Sequence, residues 1–337
     1  MSEAAPAVFA RARELIAPAL QATVERLSPG IRRVVSYHLG WEDADGVASP
    51  GDEGKAVRPA LAIAAAEAAG GPGASAVPGA VAVELVHNFS LLHDDVMDRD
   101  RERRHRATAW SLFGIGPAIL AGDALLAIAQ ELLIEPPEPA RLEAAAALSD
   151  ATGAMITGQA EDLAFETRIG VTVEQCIEMS ARKTAALMAC ACKIGAILGG
   201  GDQVIAGRMA SFGSSLGLAF QAVDDVLGIW GQPEVTGKAA GSDLRQRKKT
   251  LPVTAALAAG GPAAERLGVL LSGDMDTDED VALAAKLVDE NGGRARSLEE
   301  AERRLDVALK ALREMDVDPD AHRDLEEIAR FITARDF

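Results

Sequence analysis

The chain of 337 residues is poor in cysteine and in aromatic residues. Its three cysteines, Cys176, Cys190 and Cys192, are odd in number and lack the spacing of a zinc site, so they predict buried thiols in a reducing compartment. Aromatic residues make up only 4% of the chain, and alternating β-branched runs are nearly absent. This composition argues against a large β-sheet.

Positive charge is also scarce, because 34 Lys and Arg residues stand against 51 Asp and Glu residues, a formal net charge of −17. Clustered basic residues are needed to bind nucleic acid, so we expect no nucleic-acid partner. A small phosphorylated ligand stays possible, since Mg²⁺ can reverse the local sign of an acidic site. The N-terminus lacks the pattern of a signal peptide, which predicts a cytoplasmic protein.

No long apolar run is free of polar residues, so we expect no integral membrane segment. The most apolar stretch, Ile115–Ile134, contains Asp123, Gln130 and Glu131 and is typical of a core helix. Helix-period patterns fill most of the sequence, without a linker or repeat, and predict one all-α domain over residues 1–337. The expected helices cover residues 5–27, 56–69, 76–98, 107–113, 117–133, 139–166, 173–198, 204–230, 250–259, 263–271, 278–289, 293–315 and 319–334.

The run LLHDDVMDRDRERRHR, which begins at Leu91, follows an apolar helical pattern and contains Asp94, Asp95 and Asp98. Asp94 and Asp98 are four residues apart, so on a helix they share one face about 6 Å apart along the axis. Carboxylates that close repel each other unless a cation lies between them. Oxygen ligands alone favour Mg²⁺ or Ca²⁺ over zinc.

A second pair, Asp224 and Asp225, ends another apolar helical pattern about 130 residues further on. Gln221 lies three and four residues before the two aspartates and therefore points the same way. One such pair is weak evidence of function, because solvated helices often contain two acidic residues. Two pairs, each at the end of an apolar helix, suggest metal clusters that face each other across one cavity.

Basic residues accompany the first motif. Lys55 and Arg58 lie one turn apart at the start of an apolar helix, and His87 precedes Asp94 by two turns on one face. Arg103 and Arg104 follow closely and can reach an anionic ligand. Plainer explanations also exist. Lys55 and Arg58 could be a solvated helix end, and His87 could be a core histidine. Arg103 and Arg104 could balance the nearby acidic charges.

Further polar groups precede or interrupt apolar helices in the second half of the chain. A half-buried lysine without an anion is costly, so their recurrence favours a shared anionic ligand. These groups are Gln159 and Asp162 in TGQAEDLAF, Lys183 and Thr184 in ARKTAALMACA, and Lys238, Asp243 and Lys248 in GKAAGSDLRQRKKTLPV.

Together the motifs GKAVRP, HDDVMDRDRERR, GQAEDL, KTA, FQAVDD and GSDLRQRKKTLPV resemble, in order and spacing, the trans-prenyl diphosphate synthases that make farnesyl and geranylgeranyl diphosphate. The resemblance covers almost the whole chain. It implies an all-α bundle of ten or more helices around a central cavity, assembled as a homodimer. It also implies head-to-tail 1′-4 condensation of an allylic diphosphate with isopentenyl diphosphate.

The same resemblance implies roles for individual residues. Asp94 and Asp98 would hold two Mg²⁺ ions and Asp224 a third, with Asp95 and Asp225 in support. Arg103, Lys183 and Lys238 would bind the allylic diphosphate, Lys55, Arg58, His87 and Arg104 would bind isopentenyl diphosphate, Thr184 and Gln221 would line the reaction centre, and Lys248 would belong to the substrate-binding loop. The chain departs from the family in two places, with Gly228 where a third aspartate is common and Arg247 where a glycine usually precedes Lys248.

Product length is expected to depend on the residues just before the first motif. Helical geometry places Ser90 one turn below Asp94, in line with a growing chain, with Phe89 beside it. In the family an aromatic residue five positions before the first aspartate limits product length, and Phe89 occupies that position. We therefore expect geranylgeranyl diphosphate as product, with farnesyl diphosphate second.

Two other functions stay open at this point. A class I terpene cyclase shares the fold and the first aspartate motif, although it does not need the second basic set of Lys55, Arg58, His87 and Arg104. A non-catalytic partner subunit of a prenyl synthase is the other alternative, and Gly228 favours it modestly.

Overall fold

The computed structural model describes residues 5–49, 54–232, 240–273, 275 and 277–334. Helices account for most of these residues, which confirms the all-α prediction. They are α1 (Ala7–Glu25), α2 (Pro29–His38), α3 (Val57–Ala68), α4 (Val77–Met97), α5 (Ala109–Phe113), α6 (Ile115–Ile134), α7 (Pro139–Thr167), α8 (Val173–Ser180), α9 (Ala186–Leu198), α10 (Gln203–Trp230), α11 (Ser242–Arg245), α12 (Leu251–Ala258), α13 (Gly261–Ser272), α14 (Asp278–Glu290), α15 (Gly293–Arg313) and α16 (Pro319–Thr333).

Four elements differ from the pattern expected from the sequence. Helices α2 and α11 were not expected, because each is short and carries arginines that interrupt the apolar stripe. The expected helix over residues 173–198 contains a π-helical turn, Ala181–Ala185, between α8 and α9. An antiparallel hairpin of β1 (Glu102–Arg103) and β2 (Arg106–Ala107) follows α4.

Tertiary contacts divide the chain into two compact units, each assembled from several segments. Unit 1 comprises Met1–Thr152, Leu187–Gly213 and Ala311–Phe331, and unit 2 comprises Gly153–Ala186, Ser214–Lys310 and Ile332–Phe337. Helices α7, α10, α15 and α16 contribute residues to each of them. That residues 1–337 form a single domain stays a prediction.

The core of unit 1 is built around α3 and α4, which are apolar on nearly all sides. Such a pattern is typical of a helix surrounded by other helices. Leu61 and Ile63 of α3 and Leu85 of α4 are fully buried. Helix α4 packs against α3 and α6 over much of its length. This packing holds the C-terminal end of α4, where the first aspartate motif lies.

Unit 2 has two apolar clusters that hold the segments around the second motif. One joins Ile229 of α10, Val253 of α12, Leu267 of α13 and Leu287 of α14. The other joins Cys176 of α8, Val223 and Leu227 of α10, and Leu251 of α12. The end of α10, which contains Asp224 and Asp225, is therefore fixed from two sides.

Among the described residues, two helical stretches are long and apolar enough to cross a membrane, Gly73–Met97 and Ile115–Ile134. In the most apolar window of each, 61% and 39% of the residues are buried, and core helices pass the same test. The assignment of Ile115–Ile134 as a core helix, and not a membrane span, thus stays a prediction.

Candidate active site

The first aspartate motif lies at the C-terminal end of α4 in unit 1. Asp98 is the C-cap residue with helical backbone angles, and its amide donates a hydrogen bond of 2.8 Å to the carbonyl of Asp94. The two side chains therefore lie one turn apart on one helix face. Both residues are half-buried. This arrangement presents two carboxylates together at a helix end that is open to solvent.

Asp95, between them in sequence, has a different environment. It is 1% exposed, and its Oδ1 accepts a hydrogen bond of 2.8 Å from Nε of Arg103. Arg103 lies in β1, so this ion pair fastens the hairpin to α4. A buried carboxylate needs such a partner because desolvation of a lone charge is costly. Asp95 therefore positions Arg103 and does not face solvent itself.

The turn of the hairpin is strained. Arg104 and His105 have φ values of 51° and 58°, in the left-handed region. Two-residue hairpin turns with two positive φ angles strongly prefer Asn-Gly or Asp-Gly. A non-glycine residue in such a conformation costs about 1–2 kcal/mol, and strain of this kind concentrates at functional sites. The turn projects Arg104 towards the start of α3.

The guanidinium of Arg104 lies beside Gly54, the residue before Lys55. A Cβ atom at Gly54, where φ is 74°, would lie 2.7 Å from a guanidinium nitrogen of Arg104. A side chain at position 54 would require the guanidinium to move, and the positive φ independently favours glycine there. Lys55 follows directly, and its Nζ lies 5.2 Å from the centroid of the Phe331 ring. The hairpin and the GKAVRP segment are thus in contact within unit 1.

His87 and Arg58 complete this cluster. Burial lowers the pKa of His87 well below its usual value, and the positive charges of Arg58 and Arg104 lower it further. His87 is therefore a neutral imidazole near two guanidinium groups. The four residues expected to bind isopentenyl diphosphate, Lys55, Arg58, His87 and Arg104, are brought to one region of unit 1.

Sequence reasoning missed two groups near these residues. Burial lowers the pKa of His38 to about 3, with further lowering by Arg103 and Arg104. Burial raises the pKa of Glu84, which Arg58 partly offsets, and Asn88 donates a hydrogen bond of 3.2 Å to Glu84. His38 lies in the unexpected helix α2. Glu84 precedes His87 by three residues and was recognisable from that spacing.

The two residues expected to control product length lie on α4 in different surroundings. Phe89 is 7% exposed, and its ring packs edge-on against His93 with 4.8 Å between ring centroids. Nε2 of His93 lies 3.0 Å from the carbonyl of Ile119 in α6. Ser90 is half-buried and donates a hydrogen bond to the carbonyl of His87. Phe89 is therefore buried against a histidine of its own helix, and that histidine contacts α6.

In unit 2, Lys183 and Thr184 both lie in the π-helical turn. Such turns widen a helix by one residue and often mark functional positions. Nζ of Lys183 lies 2.5 Å from Oδ2 of Asp162 in α7. Asp162 is 8% exposed, so the lysine has a fixed anionic partner.

Thr184 begins a chain of hydrogen bonds that reaches the second aspartate motif. Oγ1 of Thr184 donates to Oε1 of Gln221 at 2.6 Å, and Nε2 of Gln221 donates to Oδ1 of Asp225 at 2.7 Å. The amide of Leu251 donates to the other oxygen of Asp225 at 2.9 Å. Both oxygens of Asp225 are thereby used in positioning.

The environment of Asp225 is electrostatically unfavourable for a carboxylate. Burial raises its pKa to about 7, although the hydrogen bonds from Leu251 and Gln221 act in the opposite direction. The negative charges of Asp243 and Asp224 raise it further. Asp224 is half-buried, and Asp225 is 5% exposed. Negative charge is thus concentrated at the end of α10.

The buried amide of Gln159, three residues before Asp162 on α7, has no hydrogen-bond partner for its oxygen or its nitrogen within the described part of the chain. Its side chain is 8% exposed. A buried unsatisfied amide costs about 1–3 kcal/mol, and such groups are rare outside functional sites. This position fits a site that receives a polar substrate.

The loop after α10 is only partly described. Lys238 lies outside the described residues. Lys248 is half-buried, and its amide donates a hydrogen bond of 2.9 Å to the carbonyl of Asp243. Arg247, at the unusual position, has φ of 54°. Lys249, which sequence reasoning missed, is buried, and burial lowers its pKa.

The donor set of the two motifs suits Mg²⁺. Within the described residues, no group of three or more His, Cys, Asp or Glu side chains is arranged to hold a metal ion alone. Mg²⁺ is commonly bound by one or two carboxylates together with substrate phosphates and water. Paired aspartates at helix ends, near basic residues that can bind phosphate, match that mode of binding.

Comparison with known proteins identifies the family. Residues 48–288 match the model of the polyprenyl synthetase family, so the chain belongs to that family. The family comprises prenyltransferases that generally depend on Mg²⁺.

Two of the similar proteins are named for different products. The chain is 47% identical over 332 residues to a (2E,6E)-farnesyl diphosphate synthase of Mycobacterium bovis, covering 97% of this chain and 92% of that protein. It is 43% identical over 334 residues to a geranylgeranyl diphosphate synthase of Mycobacterium tuberculosis, covering 98% and 94%. The crystal structure of a polyprenyl synthetase from Streptomyces coelicolor matches with a TM-score of 0.92 and 50% identity, covering 97% of this chain and 98% of that one.

Proposed function

We propose that this chain is a Mg²⁺-dependent, short-chain trans-prenyl diphosphate synthase that condenses isopentenyl diphosphate with an allylic diphosphate. The observation that carries the proposal is the cluster of Arg58, His87 and Arg104 beside Gly54 in unit 1. This cluster is additional to the lysine at the π-helical turn of unit 2. Two sets of phosphate-binding residues fit a reaction between two diphosphates, whereas a cyclase needs one.

The aspartates would hold the metal ions. Asp94 and Asp98 would bind two Mg²⁺ ions and Asp224 a third, with Asp95 and Asp225 in support. When bound, Mg²⁺ supplies Lewis-acid stabilisation of the diphosphate leaving group. Arg103, Lys183 and Lys238 would add positive charge to the allylic diphosphate, and Lys248 would bind phosphate from the same loop. Asp95 keeps Arg103 oriented, and Asp162 keeps Lys183 oriented, before substrate arrives.

In the proposed reaction one carbon–oxygen bond breaks and one carbon–carbon bond forms. The allylic carbon–oxygen bond breaks, and its electron pair leaves with the diphosphate. The double bond of isopentenyl diphosphate, held by Lys55, Arg58, His87 and Arg104, forms the new carbon–carbon bond. A proton leaves C2 of the isopentenyl unit for the released diphosphate. Electrostatic stabilisation of the leaving oxygens by fixed donors is the main contribution of the protein.

Thr184 and Gln221 would line the reaction centre. The threonine hydroxyl donates a hydrogen bond to Gln221, so the lone pairs of its oxygen point away from Gln221. Oxygen atoms fixed in this way can stabilise the positive charge that develops on the allylic carbon. The hydrogen bond from Gln221 to the buried Asp225 keeps the amide from rotating.

For the product we propose geranylgeranyl diphosphate, with farnesyl diphosphate as the alternative. The packing of Phe89 against His93 supports a fixed end to the space below Asp94 that the growing chain would occupy. The relatives do not decide between the products, because one is named for farnesyl and another for geranylgeranyl diphosphate.

We also propose a homodimer in the cytoplasm, without an integral membrane segment. Helix α6 exposes Ile115 and Ile119, which lie one turn apart on one face, and also Leu120, which follows Ile119. Exposed apolar side chains that lie close together on one helix are typical of a protein interface. Sedimentation of the Leu120→Lys variant should show a monomer, while an unchanged sedimentation coefficient would contradict this interface.

One assay separates the synthase from its alternatives. Purified protein is incubated with Mg²⁺, labelled isopentenyl diphosphate, and dimethylallyl, geranyl or farnesyl diphosphate in turn. Incorporation of label supports the synthase. Hydrocarbon formed without isopentenyl uptake would indicate a terpene cyclase, and no turnover with any primer would indicate a non-catalytic partner subunit.

A further inference from the structure

Lys55, the first residue of the second basic set, lies just outside a helix. It stands two residues before the first residue of α3, and it is exposed. A lysine side chain is a flexible four-carbon stem that ends in a compact charge. It loses rotamer freedom when it is fixed against a phosphate, and that loss opposes binding. A contact that limits this freedom in advance therefore favours the bound state.

The ammonium group of Lys55 lies over the aromatic ring of Phe331, near the end of α16. Its Nζ is 5.2 Å from the centroid of that ring. A cation within about 6 Å of a ring centroid is attracted by the negative face of the π-system. The ring takes up one side of the ammonium group, which has three N–H donors, so donors on the other side can still reach a phosphate.

A second aromatic ring contacts Phe331. The ring centroids of Phe331 and of Phe9 in α1 are 5.3 Å apart, and the ring planes are tilted by 51°. Phe9 is 1% exposed. Aromatic pairs at this separation are favourable beyond the area that they bury. Phe331 therefore joins a buried residue of the core to the exposed Lys55.

An ion-pair network fastens α16 to the same part of unit 1. The guanidinium of Arg11 in α1 donates to Asp324 of α16 at 2.5 Å and to Glu67 of α3 at 2.8 Å. Asp324 precedes Phe331 by two helical turns, so the two residues share one face of α16. Ile328, between them, is fully buried. These contacts join α1, α3 and α16 and fix the place of the ring.

We propose that Phe331 is a positioning residue of the isopentenyl diphosphate site, whose ring holds the ammonium group of Lys55 in place before the substrate binds. The inference rests on the proposed function, in which Lys55 binds the diphosphate of this substrate. It gives α16 a role in substrate binding through an aromatic ring, in addition to its packing in unit 1.

Fluorination of the ring separates an electrostatic role from a purely structural one. Fluorine withdraws electron density from the ring face and is little larger than hydrogen, so it weakens attraction to a cation while the shape is nearly kept. Phenylalanine with one, two or three fluorine atoms is incorporated at position 331 of the full chain. We expect the KM for isopentenyl diphosphate to rise step by step, to about two- to fivefold with three fluorine atoms. The kcat and the KM for the allylic diphosphate should change little.

Two controls test the path of the effect. The same fluorinated series at Phe9, which contacts the ring of Phe331, should leave the KM for isopentenyl diphosphate unchanged. In a Lys55→Met background, which removes the charge, fluorination at position 331 should have no further effect. Phe331→Tyr, which keeps an aromatic face, should have a lower KM than Phe331→Leu. The thermal midpoint of each variant shows whether the fold is kept.

The outcomes distinguish this inference from the proposed function. If Lys55→Met raises the KM for isopentenyl diphosphate but the fluorinated series at Phe331 leaves it constant, the role of Phe331 is wrong and the substrate site stands. An equal rise along the series in the Lys55→Met background would also overturn it, because the effect would not then depend on the ammonium group. If Lys55→Met itself leaves this KM unchanged, the assignment of Lys55 is wrong and the inference fails with it. If the wild type incorporates no isopentenyl label, the proposed function itself fails.

Discussion

Nε of Arg103 in the hairpin donates a hydrogen bond of 2.8 Å to Oδ1 of Asp95, a carboxylate that is 1% exposed at the end of α4. The pair joins the middle of the first aspartate motif to the residue expected to bind the allylic diphosphate. Asp95 therefore orients Arg103, and we expect it to act on substrate through that orientation. The strained turn at Arg104 belongs to the same hairpin.

Substitution of Asp95 by asparagine should therefore damage both stability and binding. Removal of one partner of a buried ion pair costs about 3–5 kcal/mol, and retention of an amide acceptor reduces that loss. We expect a drop of about 2 kcal/mol or more in the free energy of unfolding and a raised KM for the allylic diphosphate. The control is Glu102→Gln, an exposed residue in the same hairpin. Equal effects in the two variants would contradict the positioning role.

Phe89→Ala should lengthen the product. The ring is buried against His93, which lies against the carbonyl of Ile119, so truncation removes volume from this packing. Chromatography of the dephosphorylated products should show chains longer than those of the wild type. Phe89→Leu, which keeps most of the volume, should shift the distribution less. Unchanged chain length in Phe89→Ala would show that another residue limits the product.

Gln159→Leu should stabilise the protein and impair turnover. The amide is buried without a hydrogen-bond partner among the described residues, and its replacement by an apolar group of similar size removes a cost of about 1–3 kcal/mol. Chemical denaturation measures the gain in the free energy of unfolding, and steady-state kinetics measures the loss of turnover. Thr157→Leu, an exposed position two residues earlier on α7, serves as control. Greater stability with unchanged kinetics would mean that substrate does not use this amide.

Arg247→Gly should also stabilise the protein. Arg247 has φ of 54°, and the left-handed conformation costs a residue with Cβ about 1–2 kcal/mol. The glycine common in the family removes that strain, although it adds freedom to the unfolded chain. We expect a net gain of up to about 1 kcal/mol. Gln246→Gly, next to it with φ of −79°, should destabilise instead. Destabilisation by Arg247→Gly would indicate that the arginine makes contacts worth more than the strain.

The residues whose relation follows from helix geometry were predictable. The shared face of Asp94 and Asp98, and the direction of Gln221 towards Asp225, follow from a period of 3.6 residues. The hairpin was not predictable, because Arg104 and His105 occupy turn positions that usually hold asparagine and glycine. The π-helical turn has no compositional signal either, since its residues also form ordinary helix.

Contacts between residues far apart in the sequence were also not predictable. Asp243 was recognised as a polar loop residue, but nothing in its spacing shows that its carboxylate lies beside Gly228. That contact depends on the burial of Leu244 against the α10 end, which is a property of the tertiary packing.

The central claim is that one chain binds two diphosphates at once, and equilibrium binding tests it most directly. Isopentenyl diphosphate is titrated by calorimetry into protein saturated with Mg²⁺ and a non-ionisable thio analogue of the allylic diphosphate. We expect one isopentenyl diphosphate to bind per chain. His87→Ala should lose this binding and retain the analogue. If the saturated wild-type protein bound no isopentenyl diphosphate, the two ligands would compete for a single site, and the chain would not bind two diphosphates at once.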